Sequence, residues 1–189
     1  MEQPTEGAAA AGKPERQPYS AKPDTPGVVA PGPWIAFGAL ALGLVFDRLQ
    51  LPRVINHVPS PIRNLTALLL ISLGLWYIYR ANITFWRERT PFQPWRPTLA
   101  IAARDIYGRT RNPMYQGFLV IVLGIAVLFR IDGAVLMLLP ATLLIHYGVV
   151  LREERYLDRK FGEDYRTYAA GVPRYGWPLP GFSKARPKP

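Results

Sequence analysis

Apolar residues in this chain fall into four blocks: Val28 to Phe46, Leu65 to Ile83, Met114 to Phe129 and Ala134 to Leu151. Each is near the roughly 20 residues a helix needs to cross a bilayer, allowing for tilt and interfacial ends. Pro31 and Pro33 interrupt the first block, so its span is expected to start near Trp34 and to be short. Pro52, Pro59 and Pro61 break any helix between the first two blocks, and Pro91, Pro94 and Pro97 fall between the second and third. Trp76, Tyr77 and Tyr79 lie near the end of the second block, where interfacial aromatics collect, and Arg80 and Arg87-Glu88-Arg89 mark a return to water. Only Arg130-Ile131-Asp132-Gly133 separates the last two blocks, which predicts antiparallel neighbours. Pro140 predicts a kink in the fourth, where neighbouring helices can re-satisfy the freed carbonyl. Beyond it, Glu154, Leu157, Phe161, Tyr165 and Tyr168 follow steps of three, four, four and three, which puts them on one helical face. The pattern predicts an all-α, polytopic membrane protein of about four transmembrane helices with an amphipathic C-terminal helical segment.

The 49% apolar content alone would suit a soluble domain, and the mean hydropathy is only +0.03, because charged connections and polar ends dilute the blocks. Residues 1–27 are rich in Pro, Ala, Gly and charge, and cannot bury enough surface to offset their conformational entropy, so they are expected to be a disordered tail. The membrane domain is expected over 28–178, with 179–189 as a second tail. No signal peptide is expected, because the first apolar block begins too late and lacks a cleavage site. With no cysteine, disulfides and thiolate metal sites are excluded, and His57 and His146 are too far apart in sequence to suggest a His-rich metal site.

A net charge of +10 raises the question of nucleic acid, but the arginines flank apolar blocks and no separate domain is left to carry a binding face. Interfacial Lys and Arg explain the charge better. Three precede the first block, seven lie from Arg80 to Arg111 and nine from Arg152 onward, against only Arg48, Arg53, Arg63 and Arg130 in the other connections. With four spans the positive-inside rule makes both termini and both charge-rich clusters cytoplasmic. The compact size and the absent signal fit a bacterial inner membrane, with a eukaryotic endomembrane as the alternative.

Two of those clusters carry candidate chemistry. In Tyr107–Gly117, Asn112-Pro113 is suited to start a helix: Asn caps free amides, and Pro at the first position has no N–H to leave unpaired. Its positive end beside Arg109 and Arg111 is either an anion site or a capped helix with ordinary interfacial arginines. Glu153 and Glu154 sit near the end of the last apolar helix, where the dipole disfavours negative charge. They either pair with Arg152, Arg155 and Arg159 at the surface, or accept from an ammonium or ribose hydroxyl of a cofactor. His146 falls on the same stripe, as a functional intramembrane histidine or a hydrogen-bonded structural one.

Arg111-Asn112-Pro113-Met114-Tyr115-Gln116-Gly117, an apolar hairpin, Glu153-Glu154, Phe161-Gly162, Tyr165, Tyr168 and Val172-Pro173-Arg174 together resemble the isoprenylcysteine carboxyl methyltransferase family. That family is related to the phospholipid N-methyltransferases. The resemblance covers roughly Tyr107 to Pro178 and rests on the ordered combination. It implies an S-adenosylmethionine cofactor at the cytoplasmic face, bound by Arg111, Asn112, Pro113, Tyr115, Glu153 and Glu154. It also implies a lipophilic methyl acceptor drawn from the bilayer; Tyr165 and Tyr168, together with the intramembrane His146, are the candidate substrate-binding residues. Arg174 resembles the family's C-terminal arginine and is the candidate catalytic residue, either holding an anionic group of the acceptor or contacting a lipid phosphate. The departure is Asn112, where the family usually has His: an amide still donates a hydrogen bond but cannot titrate. The implied activity is carboxyl O-methylation, with phospholipid N-methylation, small-thiol S-methylation or a catalytically silent lipid- or partner-binding protein as alternatives.

Overall fold

In the computed structural model, which describes residues 24–49, 54–89 and 97–176, proline stands at the start of three helices and glycine separates the last two. Helix α1 (Gly32–Phe46) begins directly after Pro31 and carries Pro33 in its first turn. Helix α2 (Ser60–Arg87) likewise follows Pro59 and tolerates Pro61, because the first amides of a helix have no intrahelical partner. Pro61 therefore starts a helix rather than breaking one. Arg80 does not mark its end either: the helix continues to Arg87, with the Arg80 Nε donating to Asp105 Oδ2 at 3.1 Å. Helix α3 (Pro113–Phe129) stops at Arg130, whose left-handed backbone (φ 59°) turns the chain into α4 (Asp132–Ile145). Pro140 lies inside α4, and the departure from α geometry comes at a π-helical turn, His146–Val150. Helices α5 (Leu151–Phe161) and α6 (Glu163–Gly171) follow. Residues 1–23, Pro52, Pro91, Pro94 and the segment 177–189 lie outside the described residues.

The described residues are helical, without strands. Three stretches are long and apolar enough to cross a membrane: Gly32–Leu49, Ser60–Arg87 and Asp132–Phe161. The fourth expected span, α3, has 17 residues, about 26 Å of helix, and is a shorter apolar helix. The last stretch is longer than expected because α4, the π turn and α5 run on without a break.

Helices α2 and α3 pack antiparallel, as do α1 and α4, and the short Arg130-Ile131 link sets α3 beside α4. Small residues permit the close approach, as in membrane helix pairs where lipid supplies no hydrophobic drive. A Cβ on Gly74 of α2 would lie 2.6 Å from the Gly117 carbonyl oxygen of α3, and Gly43 of α1 sits directly against Ala134 of α4. Larger side chains such as Leu68, Leu69, Leu136 and Leu139 remain exposed on the outer faces, a surface that only lipid would cover. The protein is an integral membrane protein on these grounds.

Aspartates fasten the end of the bundle away from the Tyr107–Gly117 motif. Asp47 Oδ1 accepts from Gly133 N at 2.8 Å, and Asp132 Oδ1 accepts from Val54 N and Ile55 N, each at 3.0 Å.

Candidate active site

At the opposite end, the start of α3 and the start of α5 face each other. The short hairpin through α4 returns the chain to the side it left, so Arg111 and Glu154, far apart in sequence, form an ion pair at 3.1 Å. Both side chains are only 13% exposed, which removes much of the solvent screening that weakens surface pairs.

A third segment of backbone closes the arrangement. Residues 172–176 return from α6 and are laced to the Thr110–Gln116 stretch. Arg111 N donates to the Pro173 carbonyl at 2.9 Å, Asn112 Nδ2 to the Arg174 carbonyl at 3.1 Å, and Gln116 Nε2 to the Gly176 carbonyl at 3.2 Å. These bonds place the Arg174 guanidinium against Glu154 in a two-pronged pair, Nε to Oε1 at 2.9 Å and Nη2 to Oε2 at 2.6 Å. Glu154 is thus held between two arginines, a fork geometry that suits a carboxylate. Glu153 has a different setting: its Oε1 accepts a 2.6 Å hydrogen bond from the Tyr115 hydroxyl, and among the described residues no cation pairs with it.

A cavity of about 120 Å³ opens between these groups. Arg111, Asn112, Tyr115, Glu153, Glu154, Tyr165 and Tyr168 all line it, so seven of the residues singled out from sequence meet in one place. Pro113 does not; it is fully buried at the first turn of α3, where it starts the helix. Arg174 stands behind Glu154 rather than in the wall. His146 is also outside the lining, and its Nδ1 lies 2.8 Å from the Tyr175 hydroxyl. Asn112 is buried at the N-cap position of α3, but its side chain makes no cap bond; its amide is spent on the Arg174 carbonyl.

The tyrosine face survives in altered form. Gly162, at φ 54° and ψ −122°, separates α5 from α6, so Leu157 and Phe161 belong to one helix and Tyr165 and Tyr168 to another. All four still pack in one apolar cluster, joined by Ile101 and Ala103. Burial pushes the Tyr165 hydroxyl up to about 12, with the Glu154 carboxylate adding to the effect and Arg111 opposing it. Tyr168, also raised by burial first, donates to the Tyr107 carbonyl at 2.8 Å. Both phenols stay neutral near pH 7.

Other lining residues were not among the expected site residues. Tyr107, Met114 and Tyr156 come from the motif and from α5, while Thr98, Ala100, Ile101 and Ala102 come from the connection before the motif. Tyr107 lay inside the quoted motif and Tyr156 two residues past Glu154, so position was a usable signal for both. Nothing in the composition of residues 98–102 marks them. Pro26 also lines the cavity, because residues 24–27 do not trail away: the Tyr156 hydroxyl donates to Asp24 Oδ1 at 2.9 Å and Lys160 Nζ to Asp24 Oδ2 at 2.6 Å.

The donor set suits a zwitterionic ligand. Arg111 Nε is buried without a partner and would be satisfied by a carboxylate. Glu153 offers a carboxylate for an ammonium, and the tyrosine rings offer faces to a cation. A sequence model of a family described as phospholipid methyltransferase matches residues 62–164, more than half of the 189-residue chain. No curated protein and no solved structure was found to match.

Proposed function

The chain belongs to the phospholipid methyltransferase family, a family of membrane methyltransferases, and from that premise we propose that it moves the methyl group of S-adenosylmethionine to a lipophilic acceptor. The observation that carries this reading is the meeting of Arg111, Glu153 and the Tyr115, Tyr165 and Tyr168 side chains in one cavity. When bound, S-adenosylmethionine supplies an electrophilic methyl on a sulfonium.

The residues divide the work by charge. Arg111 receives the cofactor carboxylate through its unpartnered Nε, at the positive end of α3. Glu153 receives the ammonium. Glu154 is a positioning residue: wedged between Arg111 and Arg174, it fixes the first guanidinium and ties the 172–176 segment to the site. Displacement at a methyl needs in-line placement more than acid–base help, so a rigid cradle suffices.

For the acceptor, a carboxylate such as that of an isoprenylated cysteine is the leading reading. Its ordinary pKa of about 4 leaves it ionised at neutral pH, so it needs no base. The absence of histidine from the cavity wall among the described residues supports that choice. The family description favours a second reading, phospholipid amine methylation, in which the ammonium must first lose a proton. Acceptor entry from the bilayer, cofactor entry from the cytoplasm and a bacterial inner membrane belong to the same proposal.

Titration calorimetry of the purified protein tests the cofactor. Binding is expected for wild type, and Glu153→Gln should weaken it by about 1.5–3 kcal/mol, the range for a hydrogen bond to a charged group. No heat with wild type at millimolar ligand sinks the enzyme reading and leaves a silent lipid- or partner-binding protein. A labelled-methyl assay on membranes then scans prenylcysteine, phosphatidylethanolamine and small thiols. Base-labile label indicates a carboxyl ester; base-stable label in lipid indicates the amine.

A further inference from the structure

Helix α5 has two faces, and only one serves the cavity. Glu153, Glu154, Leu157 and Phe161 occupy one side. Arg152, Arg155 and Arg159, spaced three and four apart, fall within one narrow stripe on the other, and all three are exposed. With Pro26 they line an open bowl of about 270 Å³ whose wall, among the described residues, contains no carboxylate.

The guanidinium groups there are held but, among the described residues, not neutralised. Arg152 Nη1 donates to the Gly27 carbonyl at 2.9 Å, and Arg155 Nε to the Leu151 carbonyl at 3.1 Å. Both partners are neutral oxygens. The nearby acids are committed elsewhere: Asp24 to Lys160, Asp158 to Arg166, Glu154 to Arg111 and Arg174. Three like charges turned toward one concavity repel each other, and an anion with several oxygens relieves that cost while accepting several N–H bonds.

Depth decides which anion. Counted from Asp132, the helix through Leu151 is about 30 Å long at 1.5 Å per residue, the thickness of the hydrocarbon core. Arg152 is the next residue, so the bowl starts where the headgroup layer starts. We propose that Arg152, Arg155 and Arg159 form a binding site for the phosphodiester of an anionic phospholipid, seated at the headgroup level beside the end of the α4–α5 helix. The site lies on the far side of α5 from the cofactor cavity, with Pro26 bordering both.

Native mass spectrometry of the full chain in detergent, with phosphatidylglycerol or phosphatidylcholine added, tests this without any methyl-transfer readout. Wild type is expected to retain phosphatidylglycerol in preference to phosphatidylcholine. Arg159→Gln should weaken phosphatidylglycerol retention about fivefold, the effect of one interfacial cation, and the triple change R152Q/R155Q/R159Q should abolish the preference. Arg159 makes no hydrogen bond or ion pair among the described residues, so its removal leaves the fold intact even if the triple variant unfolds. Equal retention of both lipids by wild type, or an unchanged preference in Arg159→Gln, overturns the proposal. Complete displacement of phosphatidylglycerol by inorganic phosphate at equal concentration also overturns it, in favour of a small-anion site.

Discussion

Asn112 is a residue whose local role and tertiary role differ. An N-cap asparagine ordinarily accepts from the first-turn amides, yet here the side chain turns away and donates to the Arg174 carbonyl at 3.1 Å. Asn112→Asp separates the two roles. Aspartate caps a helix as well as asparagine does, but it cannot donate to a carbonyl. Thermal unfolding in detergent should therefore show Asn112→Asp less stable by at least about 1 kcal/mol; an unchanged or raised midpoint would return the residue to a capping role. Tyr115 offers a second test. Its hydroxyl is the hydrogen-bond partner of Glu153, so Tyr115→Phe leaves a half-buried carboxylate oxygen unpaired and should lose about 1–3 kcal/mol of stability. Equal stability would mean that water replaces the phenol.

At the scale of elements, two glycines do what no other residue can. Gly162 sits at φ 54° with ψ −122°, a backbone state strained for any residue with a Cβ, and the bend it makes turns α6 back onto the site. Gly162→Ala should cost about 1–3 kcal/mol, read as a lowered melting midpoint, and should loosen the Arg174–Glu154 pair downstream. A melting midpoint equal to wild type would show that the α5–α6 turn tolerates another conformation. Gly74 acts through contact instead: a Cβ there meets the Gly117 carbonyl at 2.6 Å, and backbone cannot step aside as a side chain can. Gly74→Leu is expected to separate α2 from α3 and to lower the yield of folded protein in detergent extraction. The helix α5–α6 boundary also shows why the tyrosine face was only partly legible. Period and spacing identified the face, but Phe161-Gly162 reads equally as a tolerated glycine within one helix or a stop between two.

For the whole molecule, the up-down-up-down path of α1 to α4 puts the motif and the aspartate contacts at opposite ends of the helix bundle. From the arginine distribution we propose that the motif end is cytoplasmic, and the absence of native cysteine makes that easy to check. Val54→Cys, at the far end, should react with an impermeant maleimide in sealed cells; Arg104→Cys, exposed at the motif end, should react only after lysis. The reverse pattern would invert the orientation.

Sequence by itself determined the helical class and the three stretches of spanning length, because both depend on local composition: apolar runs of bilayer length and prolines at helix starts. It also brought Arg111 and the glutamate pair to one side, since a hairpin as short as Arg130–Gly133 leaves no other geometry. What needed the tertiary structure was the division of labour between the two glutamates. Glu153 and Glu154 are chemically identical neighbours, and a helix turns about 100° between them. That rotation sends one to Tyr115 in the cavity and the other to Arg111 and Arg174. The path of residues 172–176 across the start of α3 was likewise invisible locally, because the hydrogen bonds that set it join backbone carbonyls to side chains some sixty residues away.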